Sequence, residues 1–214
     1  MNNIKIRVNN VEKTIGDQVI LKNINMEFID SRIYGLVGRN GSGKTVLLKC
    51  ICGFMSVSKG EIWLNDKLIG KDISFIENLG FIIDTPGFLP EISGYKNLLY
   101  LASIRRKASK QDIYKCMEMV GLDYHSKKPV GKYSLGMKQR LGIAQAIMEN
   151  PDIIILDEPM NGLDIQGVED IRKLLLKLKN EGKLIIITSH NNEDIEVLCD
   201  EVYKIEMGII KQLG

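Results

Sequence analysis

Apolar and polar residues alternate at positions 4–8 (IKIRV) and again, over a longer stretch, at 18–29. A period of two predicts antiparallel strands with one wet face. Residues 33–37 (IYGLV) predict a shorter apolar strand, followed by a Gly-rich run and helical spacing over 45–54. Alternation returns at 60–69, with Asn65-Asp66 as a turn between two short strands, and a further strand is expected at 79–83, ended by Pro86-Gly87. From 94 to 149 the period becomes helical, in three runs at 97–106, 111–122 and 135–150. The continuous apolar runs IIIL (153–156) and LIIIT (184–188) suit strands buried on both faces. An amphipathic helix is expected over 165–179, a short one over 192–199, and a closing hairpin from 201–207 and 209–213. Buried strands alternating with helices predict an α/β core, with an antiparallel flank near the N-terminus and an inserted helical lobe.

Length and composition narrow the classes. A chain of 214 residues fits one domain, and 44% hydrophobic with 26% charged residues is ordinary for a globular protein rather than a disordered one. The formal net charge of +2 is too balanced for a nucleic-acid footprint, so no nucleic-acid partner is expected. No apolar run approaches a membrane span, and the N-terminus has no secretory segment, which makes a cytoplasmic location the expectation. Cys50, Cys52, Cys116 and Cys199 form no C-x-x-C pair, so buried, inert thiols are expected rather than a zinc cluster.

Chemistry enters at Gly38-Arg39-Asn40-Gly41-Ser42-Gly43-Lys44-Thr45, which fits G-x-x-x-x-G-K-[ST] without a mismatch. A preceding strand and a following helix supply the context, and the run from Gly38 through Val46 is expected to bind the nucleotide. Glycines permit a tight loop whose N–H groups converge on phosphate at the positive end of a helix. Lys44 is placed to reach the β- and γ-phosphates and Thr45 to ligate Mg²⁺. A second candidate, Asp84-Thr85-Pro86-Gly87, has the D-x-x-G shape of a GTPase switch, but no N-K-x-D follows to read guanine. The IIIL strand instead delivers Asp157-Glu158 at its C-terminal end, where open α/β sheets bind ligands. Asp157 is expected at Mg²⁺, and Glu158 facing the attacking water as general base.

With these motifs in this order, the chain resembles the ATP-binding subunit of an ABC transporter over essentially its whole length. The resemblance implies a P-loop NTPase core with an antiparallel β flank (residues 1–89 and 150–214) and a helical subdomain at 90–149, together one domain. Tyr133-Ser134-Leu135-Gly136-Met137 stands where that family has its LSGGQ signature: Ser134 and Gly136 are retained, Leu135 and Met137 are departures. Asn161-Gly162-Leu163-Asp164 resembles the D-loop, placing Asp164 at the opposite nucleotide of a dimer. His190 resembles the switch histidine that bonds the γ-phosphate. His125 has no matching role.

Two further positions depart from the family. Ile15 stands where an aromatic usually stacks on adenine, and Asp84 where the Q-loop glutamine is common, which makes Asp84 a candidate Mg²⁺ contact. An acidic residue there and the SLGMKQR signature are similar to bacitracin- and lantibiotic-type peptide exporters. The resemblance thus implies ATP and Mg²⁺ as cofactors and a head-to-tail homodimer or heterodimer. It also implies a separate membrane permease, docked near residues 84–110 through side chains such as Phe88, Leu89, Tyr95 and Tyr100, holding the subunit at the inner face of the cell membrane. Two alternatives remain open: an ABC-type ATPase acting on ribosomes or DNA, and a non-hydrolysing nucleotide-binding regulatory partner.

Overall fold

Strands β1 (Lys5–Ile15) and β2 (Gln18–Ile29) pair antiparallel, and β1 also pairs antiparallel with β4 (Lys59–Leu64), as β4 does with β5 (Lys67–Leu68). The computed structural model describes residues 4–84 and 87–213, so the turn expected at Pro86-Gly87 lies partly outside the described residues. β1 runs well past the expected 4–8. The alternation that marks it breaks at Asn9 and Asn10, where Asn10 turns left-handed (φ 49°) and the register shifts; inward facing resumes at buried Val11.

The second sheet is built on β3 (Ile33–Val37), β6 (Leu79–Ile82), β7 (Ile153–Leu156), β8 (Leu184–Thr188), β9 (Glu201–Glu206) and β10 (Ile209–Gln212), in the order β10-β9-β3-β8-β7-β6. Every neighbouring pair is parallel except β9 with β10, the closing hairpin. Because side chains on a strand alternate, the apolar runs feed two cores at once. Ile153 and Ile155 join Leu184 and Ile186 in the core shared with the antiparallel sheet, around the helix α1 (Lys44–Cys52). Ile154 and Leu156 join Ile185 and Ile187 in the other, against the remaining helices. Burying each such side chain contributes about 1.5–3 kcal/mol.

Among the described residues three α-helices lie between β6 and β7, α2 (Gly94–Arg105), α3 (Lys110–Met119) and α4 (Leu135–Ile147), with one 3-10 turn at Val130–Lys132 ahead of α4. Each α-helix begins at a serine whose hydroxyl accepts a backbone N–H, Ser93 from Lys96, Ser109 from Asp112 and Ser134 from Met137. At Ser109 the capping box is complete, and the hydrogen bonds from Ser109 hold the Asp112 carboxyl below its ordinary range. α5 (Ile165–Asn180) buries the stripe Ile171, Leu174, Leu175 and Leu178, and α6 (Asn192–Leu198) follows β8. The expected α/β core, antiparallel flank and inserted helices are all present.

Candidate functional site

β3 ends at Val37, and the chain turns through Gly38–Gly43 into α1. Gly43 precedes the helix at φ 107°, a conformation that excludes side chains, and no side chain caps the first turn. The free N–H groups of that turn, with the positive end of the helix dipole, form an anion site. The Lys44 ammonium is buried and folds back on its own loop, donating to Gly38 O (2.7 Å) and Arg39 O (3.3 Å). The Ser42 hydroxyl oxygen is buried in the same loop with no hydrogen-bond partner among the described residues. A phosphate group would satisfy all of these at once, accepting from the helix N–H groups, from Ser42 and from Lys44.

The carboxylates arrive from β7. Asp157 N donates to Ile82 O on the neighbouring strand, which fixes where the side chain leaves the sheet. Asp157 Oδ2 accepts from Thr45 Oγ1 (2.7 Å) and Oδ1 from Thr188 Oγ1 (2.6 Å). A threonine hydroxyl beside one carboxylate, with the rest of the coordination left to phosphate and water, is the donor set Mg²⁺ takes. Among the described residues no cluster of three or more His, Cys, Asp or Glu side chains could hold a metal.

Glu158 adopts a left-handed backbone (φ 52°), which costs a non-glycine residue about 1–3 kcal/mol and persists only where the surroundings hold it. Here three side chains do, beside the Asn161 N–H that also reaches its carbonyl. The Glu158 N–H donates to Thr188 Oγ1 (2.8 Å), its carbonyl accepts from Gln139 Nε2 (3.2 Å), and its carboxylate Oε2 lies 2.8 Å from His190 Nδ1. Sequence reasoning missed Thr188 and Gln139. Thr188 follows Ile187, which is in register with Leu156, so parallel pairing sets its hydroxyl between the two acidic residues. The signal was a polar residue closing an otherwise apolar strand.

Thr45, Asp157, Thr188, Glu158 and His190 therefore stand on one hydrogen-bonded line at the ends of β3, β7 and β8, with Lys44 folded on the loop beside it. The remaining expected site residues lie outside it. Ser134 is exposed at the head of α4, and Gly136 packs so closely that an added Cβ would meet Gly162 O at 2.7 Å. Asp164 caps α5, its carboxylate accepting from Gly167 N (2.9 Å). Ile15 ends β1, exposed. Asp84, with a left-handed backbone and a side chain 62% exposed, pairs with Lys49 of α1 at 2.5 Å. A cleft lined by Ile82, Asp84, Leu135, Gln139, Asp157 and Glu158 brings Asp84 and the start of α4 to the side of the acidic pair.

Comparison with known proteins places this geometry among relatives. The profile of the family described as ABC transporter matches residues 21–161, from within β2 through Asn161. An uncharacterized ABC transporter ATP-binding protein of Bacillus subtilis (strain 168), YybJ, is 44% identical over 95% of this chain and 93% of its own length. The bacitracin transport ATP-binding protein BcrA of Enterococcus faecalis is 42% identical over 92% of this chain, which spans 65% of that protein. The lantibiotic transport ATP-binding protein SrtF of Streptococcus pyogenes is 35% identical over 96% of this chain and 88% of its own length. Among solved structures, the ATP-binding cassette MJ0796, in a dimeric post-hydrolysis state bound to ADP and Pi, superposes with a TM-score of 0.85 at 21% identity, covering 98% of this chain and 99% of that one. At that identity the likeness is one of fold.

Proposed function

The chain belongs to the ABC transporter family as an ATP-binding subunit related to bacitracin and lantibiotic transport ATP-binding proteins, and we propose that it hydrolyses ATP to drive export through a separate permease. The observation that carries this reading is the line Thr45–Asp157–Thr188–Glu158–His190, which joins a phosphate loop to a held carboxylate. Gly38 through Val46 cradle the phosphates by backbone N–H groups, with Lys44 exchanging its loop carbonyls for phosphate oxygens. Thr45 and Asp157 hold Mg²⁺, and Asp84 reaches toward it from the cleft. When bound, the ion supplies positive charge that offsets the charge on the phosphate oxygens. Glu158 takes the proton of the attacking water, and His190 keeps its carboxylate turned toward that task. Ile15 covers the base through apolar contact.

Two copies pair head to tail, each phosphate loop facing Ser134 and Gly136 of the other, with Asp164 alongside. Exposure of Ser134 and Asp164 supports the arrangement, and Leu135 beside Ser134 is 65% exposed. Residues 90–149 act as the subdomain that meets the permease. Of the four side chains expected at that face, Phe88 and Tyr95 pack against the core, whereas Leu89 and Tyr100 are exposed, joined by Ile104. Among the described residues no helix is long and apolar enough to cross a membrane; in this reading the permease holds the subunit at the inner membrane face. The relatives' names support antimicrobial peptides as the cargo class.

Phosphate release from Mg²⁺-ATP tests the reading. The wild type is expected to turn over, and Glu158→Gln to fall by about 10²–10⁴-fold, the usual weight of a general base. The same variant is expected to sediment as a dimer with Mg²⁺-ATP. Equal rates for both proteins would remove Glu158 from the chemistry.

A further inference from the structure

Away from the phosphate loop lies a buried charge cluster to which the reaction assigns nothing. Arg172, on α5, is 5% exposed. It grips one oxygen of Asp194 twice, through Nε (3.0 Å) and Nη2 (2.6 Å), and reaches Glu169 (3.0 Å) and Glu193 (3.1 Å) through Nη1. Asp194, on α6, is as deeply buried, and its second oxygen accepts from Ser189 Oγ (3.2 Å). Ser189 Oγ in turn accepts from Asn191 N (3.0 Å), and Asn191 Oδ1 caps α6 through Glu193 N. The two residues fastened this way are the immediate neighbours of His190.

The His190 ring needs such fastening. Its side chain is 68% exposed, so packing does not hold it, and among the described residues Glu158 is its recorded hydrogen-bond partner. Where that ring points is decided by the loop that carries it. We propose that Arg172, acting through Asp194 and Ser189, is a positioning residue for His190: the cluster clamps the 189–191 loop to α5 so that the imidazole meets the Glu158 carboxylate. The alternative is a buried ion pair that only stabilises the packing of α5 on α6. A pair of that kind is replaceable by apolar side chains with little loss of stability, and this separates the two roles.

The proposal rests on the ATPase reading for its consequence, so its test needs a measurement without nucleotide. The chain has two histidines; His125→Gln assigns the imidazole signals by NMR. In nucleotide-free protein Glu158→Gln is expected to shift the His190 signal, because the ring touches that carboxylate. In Arg172→Met/Asp194→Leu, whose melting midpoint is expected near wild type, and in Ser189→Ala, which keeps the ion pair, the response to Glu158→Gln is expected to vanish. The same two variants are expected to lose kcat on the order of tenfold or more, as misplacement of a reacting group does, with ATP affinity within about twofold of wild type. A retained NMR response and unchanged kcat in both would overturn the clamp. Should the double substitution fail to fold, Ser189→Ala decides alone. A wild type without ATPase activity but with the NMR response lost in the variants would sink the ATPase reading and leave the clamp standing.

Discussion

At Glu158 the backbone is held in a conformation that its side chain disfavours, and the side chains holding it come from three separate stretches of chain, at 139, 188 and 190. A neighbouring residue shows a different balance. Asp84, where the family commonly has glutamine, is matched by an ammonium from Lys49, one helical turn beyond the Mg²⁺-binding candidate Thr45. An ionised carboxylate attracts a divalent cation more strongly than an amide does, but here a resident cation competes for it. Asp84→Asn is therefore expected to raise the Mg²⁺ concentration needed for half-maximal ATPase activity, and Lys49→Met to lower it. ATPase activity measured against Mg²⁺ reads both; curves that superimpose on wild type would leave Asp84 as a turn residue. The pair itself is largely exposed, so little stability is at stake in either substitution.

Among the elements, the strands and helices of the core were legible because period and burial agree: IIIL and LIIIT are continuous apolar runs and lie buried throughout. β1 was legible only to its break at Asn9-Asn10, since a register shift erases the alternation that marks a strand. The phosphate loop and acidic pair were legible because their chemistry is local in sequence. Thr188 and Gln139 were not, because their roles depend on parallel register and on where α4 leans, and neither leaves a local pattern. Asp164 was read as a nucleotide contact; what the structure gives its carboxylate is the cap of α5, which the sequence reading did not name. Gly136 was read from the signature, and the structure adds a steric reason for it. A methyl at that position would meet Gly162 O at 2.7 Å, so the start of α4 could not lie on the 158–164 loop. Gly136→Ala is expected to destabilise by about 1–3 kcal/mol, the range for overpacking, measured as a lowered urea midpoint at unchanged slope.

For the whole molecule, the thiols report on how the fold opens. Burial pushes Cys50 up to about 11 and Cys52, Cys116 and Cys199 up to about 12, so at pH 8 all four are neutral thiols and poor nucleophiles. Three sit wholly inside, Cys50 and Cys52 in one core and Cys116 in the other. Labelling with a thiol reagent at pH 8 is expected to be slow for the native protein and fast in denaturant. Cys52 and Cys116 are expected to label at the same rate, although they lie in different cores; a Cys116 that labels well ahead of Cys52 would show the helical side opening by itself.

That expectation follows from the way β7 and β8 divide their residues, odd and even, between the two cores. The six-stranded sheet belongs to both cores at once. If the helices on one side were to melt, Ile154, Leu156, Ile185 and Ile187 would face water while their neighbours in the same strands stayed dry. The strands would then carry an oily face with nothing against it, a template for association with other copies. A half-open state is thus both costly and hazardous, and the shared partition makes loss of one side the loss of both. The molecule should melt once, in a single calorimetric transition, with no populated intermediate on which aggregation could start.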